Sequence, residues 1–159
     1  MSIYYSQRTS TLQKVYATLE KVCSAHIAVT EYDCGDLQLF STEYRFPLAY
    51  LETITEVGEN QSKNGETYTV TLNLLDRQPE AHNRTTLVQT HDKLKQVFSE
   101  IKSYLERREV FGNVNVGPAT LLLFNGFDDA NLVRLRAEFT VSVDMVATDQ
   151  PDLNLLFQF

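Results

Sequence analysis

Within the stretch Asn131 to Val146 apolar and polar side chains alternate strictly from Arg134 to Met145. Leu135, Ala137, Phe139, Val141, Val143 and Met145 hold one parity; Arg134, Arg136, Glu138, Thr140, Ser142 and Asp144 hold the other. Successive side chains of a strand point to opposite faces of a sheet, so this period specifies a half-buried strand and rules out a helix. At roughly 3.3 Å per residue such a strand spans on the order of 50 Å, against a usual length of about 5–6 residues. A strand this long is expected to reach past the edge of its own small domain, which points toward a subunit of an assembly.

The rest of the composition sets the bounds on that assembly. A chain of 159 residues suffices for one compact domain and is short for two. Its 43% hydrophobic content, with nine Phe and eight Tyr, can build a core. No run of about 18 apolar residues is available to span a bilayer, and Met1–Arg8 lacks the basic segment and apolar core of a signal peptide. Synthesis in the cytoplasm with no membrane partner is the expectation.

The formal charge of −7, from 14 basic against 21 acidic residues, argues against tight nucleic-acid binding, because such binders neutralise phosphates with clustered Lys and Arg. The nearest cluster, Arg107-Arg108, is flanked by Glu106 and Glu109. An acidic surface that lets DNA slide past without adhering stays compatible with this balance. Cys23 and Cys34 are too few and too badly spaced for a zinc site or a disulfide framework. Cys23 lies on an apolar helical face and reads as a small buried hydrophobe. Asn60-Gln-Ser and Asn83-Arg-Thr match the glycosylation triplet, a match that is accidental without secretion.

Along the chain, Leu12, Val15, Tyr16, Leu19, Val22 and Cys23 follow helical spacing, and Ser10 with Gln13 fits a capping box, so a helix is expected over 11–24. Residues 27–32 read as extended, Asp33-Cys-Gly-Asp36 as a turn and Leu37–Phe40 as a short strand. Phe46-Pro47 opens a strand over Leu48–Val57, since proline is tolerated at a strand's first residue. Asn64-Gly65 is a turn signal. Tyr68, Val70, Leu72 and Leu74 then alternate with Thr69, Thr71 and Asn73, which makes 48–57 and 66–76 a long hairpin. A second amphipathic helix is expected over 86–109, capped by Thr85 or Thr86. Residues 113–118 read as a loop, 119–124 as a short apolar strand and Asn125–Asp129 as a turn. The fold class is therefore α+β: a mainly antiparallel β-sheet with a long β-hairpin packed against two amphipathic helices. Residues 1–146 form one domain and 147–159 an extended C-terminal tail.

No pattern of comparable strength carries chemistry. His26, His82 and His91 fall in separate elements without metal-ligand spacing, and Asp128-Asp129 does not follow the calcium-loop spacing. Tyr32, Tyr44, Tyr50 and Tyr68 could line a pocket, although aromatics at strand positions more often build core or interface. The tail is the sharper signal. Leu153, Leu155, Leu156, Phe157 and Phe159 crowd into residues 153–159, and apolar surface at this density marks an interface with a neighbouring subunit. Folding back onto its own domain is the alternative.

The order of these elements, with Phe46-Pro47-Leu-Ala-Tyr-Leu-Glu opening the hairpin, resembles the tail terminator family of tailed bacteriophages, the lambda type above all. The resemblance covers most of residues 9–146 as a pattern of elements. The extra strand between Phe111 and Asn131 and the long tail depart from it. It implies a non-enzymatic structural protein of the virion, without cofactor or metal. Such a protein forms a ring, expected to be hexameric, that ends the tail tube at the head–tail junction. Its partners would be copies of itself, the tail tube protein and the head-completion or connector proteins, with genome DNA passing through the lumen unbound. Another neck, connector or tail-completion ring protein is the alternative, and a small α+β ligand-binding or enzymatic domain the rival from a different class. In a ring, the hairpin and the final strand are expected to supply sheet edges that pair across subunits. Glu52, Glu56, Glu59 or Glu66 would then lie near an acidic lumen that repels phosphate.

Overall fold

The structure, a computed structural model, describes residues 11–36, 43–59, 65–107, 114–126 and 131–144. In chain order these form helix α1 (Thr11–Ala25), strands β1 (Glu31–Gly35), β2 (Leu48–Glu52), β3 (Val57–Glu59) and β4 (Gly65–Arg77), helix α2 (Arg84–Leu105), and strands β5 (Val114–Val116), β6 (Thr120–Asn125) and β7 (Leu132–Asp144). All the strands belong to one seven-stranded sheet with the path β1-β2-β4-β7-β5; β3 pairs with β4 and β6 with β7. The fold is α+β, with β1–β2 the one parallel pair among the described residues.

β4 and β7 are its spine. They pair antiparallel, residue for residue, from Gly65↔Asp144 to Arg77↔Leu132. Equal length and in-phase alternation put Tyr68, Val70, Leu72 and Leu74 beside Val141, Phe139, Ala137 and Leu135 on one face. Both helices cover that face, bringing Val15, Leu19, Val22 and Cys23 from α1 and Leu94, Val97, Phe98, Ile101 and Leu105 from α2. The Phe98 and Phe139 rings meet with centroids 5.7 Å apart. Burial pushes the Cys23 thiol up to about 12, in line with its role as a core hydrophobe.

The first helix matches its sequence pattern. The second starts earlier than expected, because Asn83 is its N-cap: the Asn83 side-chain oxygen accepts from the Thr85 and Thr86 backbone N–H groups at 2.9 and 3.2 Å. The carbonyl of the glycosylation-like triplet is thus a helix cap. The helix ends at Leu105 with Glu106 as its C-cap. Residues 106–109 are good helix formers and offer no stop signal, which is why the sequence extends it too far.

Three strand expectations are corrected. Asp33-Cys-Gly is part of β1, held by parallel pairing of Glu31–Gly35 with Leu48–Glu52; tertiary pairing overrides local turn propensity there. The 48–57 strand is broken, because Glu52–Glu56 stand opposite only Thr69–Thr71, and the slack lets Ile54 N–H donate to Tyr16 Oη at 2.8 Å. Val114–Val116, expected as loop, is a strand on β7. The expected 37–40 strand and the tail from 147 onward lie outside the described residues.

Candidate assembly surface at the sheet edges

The most consequential correction concerns the final strand. β7 has β4 on one side along all of its described length and β5 and β6 on the other. β4 likewise lies between β7 and the β2–β3 segment. β2, β4 and the long strand β7 therefore lie between neighbours and offer no free edge, their length matched inside the domain, while the short β3 of the hairpin pairs with β4 alone. Among the described residues the outer strands are β1 and the three-residue β3 on one side and β5 with β6 on the other.

β5 and β6 act as one edge strand with a bulge. Val114–Val116 pair with Val143–Val141, and Thr120–Asn125 with Glu138–Val133. Between them Gly117, Pro118 and Ala119 stand opposite Phe139 and Thr140, so this strand carries one residue in excess, the definition of a bulge. Gly117 makes it possible. Its N–H donates to the Thr140 carbonyl at 2.9 Å, and a Cβ there would lie 2.3 Å from Thr140 Oγ1.

Beyond the bulge the edge is apolar and wet. Register places Leu122 and Phe124 on the sheet face away from the helices and Leu123 on the helix-bearing face. They are 42%, 36% and 49% exposed, while Leu121 packs partly against the core. A run of exposed large hydrophobics on an outer strand invites pairing with another strand. Behind Phe124 the Arg134 guanidinium lies 4.2 Å from the ring centroid, and burial lowers the Arg134 pKa.

The face away from the helices has two parts. Near the start of β2, Leu48, Tyr50, Leu75 and Leu132 form a second small core under Tyr44 and Phe46. Tyr44 donates to Asp33 and meets Tyr50 edge-on at 6.1 Å. Toward the other end the face is polar, with Thr67 and Ser142 hydroxyls 2.9 Å apart. Glu52 sits between these parts. It accepts from Asn73 Nδ2 at 2.8 Å and pairs with Arg136 at 3.4 Å.

The four glutamates singled out from the sequence do not share a surface. Glu52 is on the face away from the helices, while Glu59 and Glu66 are register partners on the opposite face, where Glu66 accepts from the Tyr68 hydroxyl. Glu56 is exposed in the break between β2 and β3, its carbonyl accepting from Thr69 N–H at 3.2 Å. The four tyrosines divide as well: Tyr32 and Tyr68 pack with the helix-side core, Tyr44 and Tyr50 on the other face. Leu153, Leu155, Leu156, Phe157 and Phe159 lie outside the described residues.

No protein-family model and no curated protein sequence matches the chain. Among solved structures, a similar chain occurs in the virion of a native gene transfer agent particle. It is 13% identical, with 84% of this chain and 90% of that one aligned at a TM-score of 0.37. At that distance nothing about the particle is carried over.

The histidines remain apart. His26 Nε2 lies 2.5 Å from Glu100 Oε2 and, with Gln96, holds that carboxyl below its usual range. His82 has a φ of 61° in the turn before α2. His91 is on α2, where burial lowers its pKa. No group of three or more potential metal ligands occurs among the described residues. A cleft of about 370 Å³ between the ends of α1 and α2 is lined by Val22, Ala25, His26, Ile27, Glu100, Ile101 and Tyr104, and its His26 and Glu100 are bonded to each other.

The edge run was hidden in plain view in the sequence. Leu121-Leu-Leu-Phe124 reads as part of a short apolar strand, and an apolar run does not distinguish an inner strand from an outer one. Its flanks, Gly117-Pro118 and Asn125-Gly126, were the available signal, since proline and bulges gather at sheet edges.

Proposed function

We propose that the protein is a non-enzymatic structural subunit of a phage-like virion that assembles into a closed ring at the head–tail junction. In this reading the ring ends the tail tube and joins it to the head, as the resemblance to tail terminators implies. The observation that carries the assembly part is the outer strand β6, with Leu122, Leu123 and Phe124 exposed along a sheet edge that has no described partner strand. A single-copy protein ordinarily blunts such an edge with charge or covers it. A cyclic assembly uses it, because a surface on one subunit meets a different surface on the next and closure leaves no open edge. The net charge of −7 suits a ring through which DNA passes without adhering. The tail, Leu153–Phe159, supplies a second contact with a neighbour in the same reading.

Negative-stain electron microscopy of the concentrated protein tests this. Class averages with closed rotational symmetry support the ring. A monomer in sedimentation at every concentration, with single particles in the micrographs, contradicts it. Antibody labelling of virions at one level between head and tail tests the position.

A further inference from the structure

β1 and β6 are the longest outer strands, β3 and β5 having three residues each, and they leave three ways for copies to join: β6 to β6, β1 to β1, or β6 to β1. We infer that the subunit contact is a head-to-tail strand junction in which β6 of one copy pairs antiparallel with β1 of the next. This deepens the ring reading and rests on it. Direction and length come first. β1 runs parallel to β2, β2 antiparallel to β4, β4 antiparallel to β7, and β7 antiparallel to β6. β1 and β6 therefore run in opposite directions, and a sheet continued from copy to copy places them antiparallel, the pairing that needs no slanted hydrogen bonds. The lengths match: β1 has five residues and β6 six.

Charge separates this junction from its two-fold rivals. Register puts Glu31 and Asp33 of β1 on the face away from the helices, where they are partly buried. Leu122 and Phe124 of β6 are on that same face, with Arg136 and Arg134 one strand inward and the Arg134 guanidinium over the Phe124 ring. A β1–β1 contact sets Glu31 and Asp33 against their own copies, and a β6–β6 contact sets Arg134 near its own copy. Like charges placed opposite one another destabilise a strand pair. Arg136 is paired with Glu52 and Glu138, so the β6–β1 junction brings the acidic residues of β1 toward the Arg134 end of β6, and complementary potentials of this kind fix which surfaces meet. Such a contact is heterologous and propagates until it closes.

The native cysteines supply the test. Cys34 is exposed on the helix-bearing face of β1, while Cys23 is buried in the core. Leu121, Leu123 and Asn125 of β6 are on that same face, and Leu122 is not. In a strand pair, residues on one face come within the Cα separation of about 4.4–6.8 Å that a disulfide needs. We would make Leu121→Cys, Leu123→Cys and Asn125→Cys singly, oxidise the full chain at high concentration and run denaturing, non-reducing gels. The expected result is a ladder that continues past the dimer for at least one variant, is absent for Leu122→Cys, and is abolished by Cys34→Ser. A dimer band that persists with Cys34→Ser would overturn the junction in favour of a two-fold β6–β6 contact. Absence of cross-links in all variants, with rings still seen by electron microscopy, would overturn the junction and leave the ring standing. Absence of both would overturn both.

Discussion

The centre and the margin of this sheet are built by opposite rules. In the centre, β4 and β7 match each other over thirteen residues apiece. Their inner-face side chains are almost fully withdrawn from water, from Val70 and Leu72 to Leu135 and Ala137. At the margin, β6 is short, follows a bulge, and leaves Leu122, Leu123 and Phe124 in solvent. Burial of apolar area is what stabilises the fold, at about 25 cal/mol per Å². The same chemistry left exposed at an edge favours association. In the proposed assembly stability and association therefore belong to different strands, and substitutions should separate them.

The largest effect on stability belongs to the centre. Leu72→Ala, at a fully buried position, is expected to cost about 2–5 kcal/mol through lost transfer energy and the cavity left behind. Urea denaturation would show a lower midpoint at an unchanged slope. Next is the hinge between the two regimes. Gly117→Ala forces a Cβ to 2.3 Å from Thr140 Oγ1 and is expected to cost about 1–3 kcal/mol. Adding Thr140→Ala should recover most of that, and a double-mutant cycle measures the coupling. If the two costs simply add, the close approach is not what constrains the bulge. Asn83→Ala removes the cap of α2 and should cost about 1 kcal/mol, read from thermal unfolding by circular dichroism.

A smaller effect follows from His91. Burial holds its imidazole below the ordinary 6.5, so the unfolded chain takes up the proton more readily than the folded one. The associated stability is fully present above about pH 6.5 and is lost as pH falls toward the folded value. Urea midpoints at pH 7.5 and 5.5 should differ in that direction, and His91→Gln should flatten the difference. The smallest change in fold stability, within about 0.5 kcal/mol, is expected for Leu123→Lys at the margin. Yet this variant should lose self-association in sedimentation, since a lysine on an edge strand opposes pairing.

Much of the centre was legible in the sequence and much of the margin was not, for a physical reason. The alternation of 133–143 and of 68–74 records burial on one face, and the 3.6-residue spacing of Leu12 to Cys23 records the helix that covers it. Such signals are local. Which strand lies beside which is decided by pairing between residues far apart in the chain, such as Leu72 with Ala137. The expectation that length in the final strand meant overhang failed because an equally long partner lay some sixty residues upstream. β1 was masked by Asp33-Cys-Gly, whose turn propensity yields to the Leu48–Glu52 strand beside it. β5 was masked by its brevity, though Val114 and Val116 alternate with Asn115. The sequence shows residues 119–124 only as a short apolar strand, because Leu121–Phe124 carries no mark of which side of the sheet it occupies.

The most direct measurement is hydrogen exchange by mass spectrometry on the full chain, at a dilute and a concentrated condition. If the margin assembles, amide protection should rise with concentration in residues 31–35 and 120–125, while residues 65–77 and 132–144 stay equally protected in both. Protection at residues 31–35 and 120–125 that is the same at both concentrations, or a rise confined to the central strands, would contradict the assignment of assembly to the sheet edges.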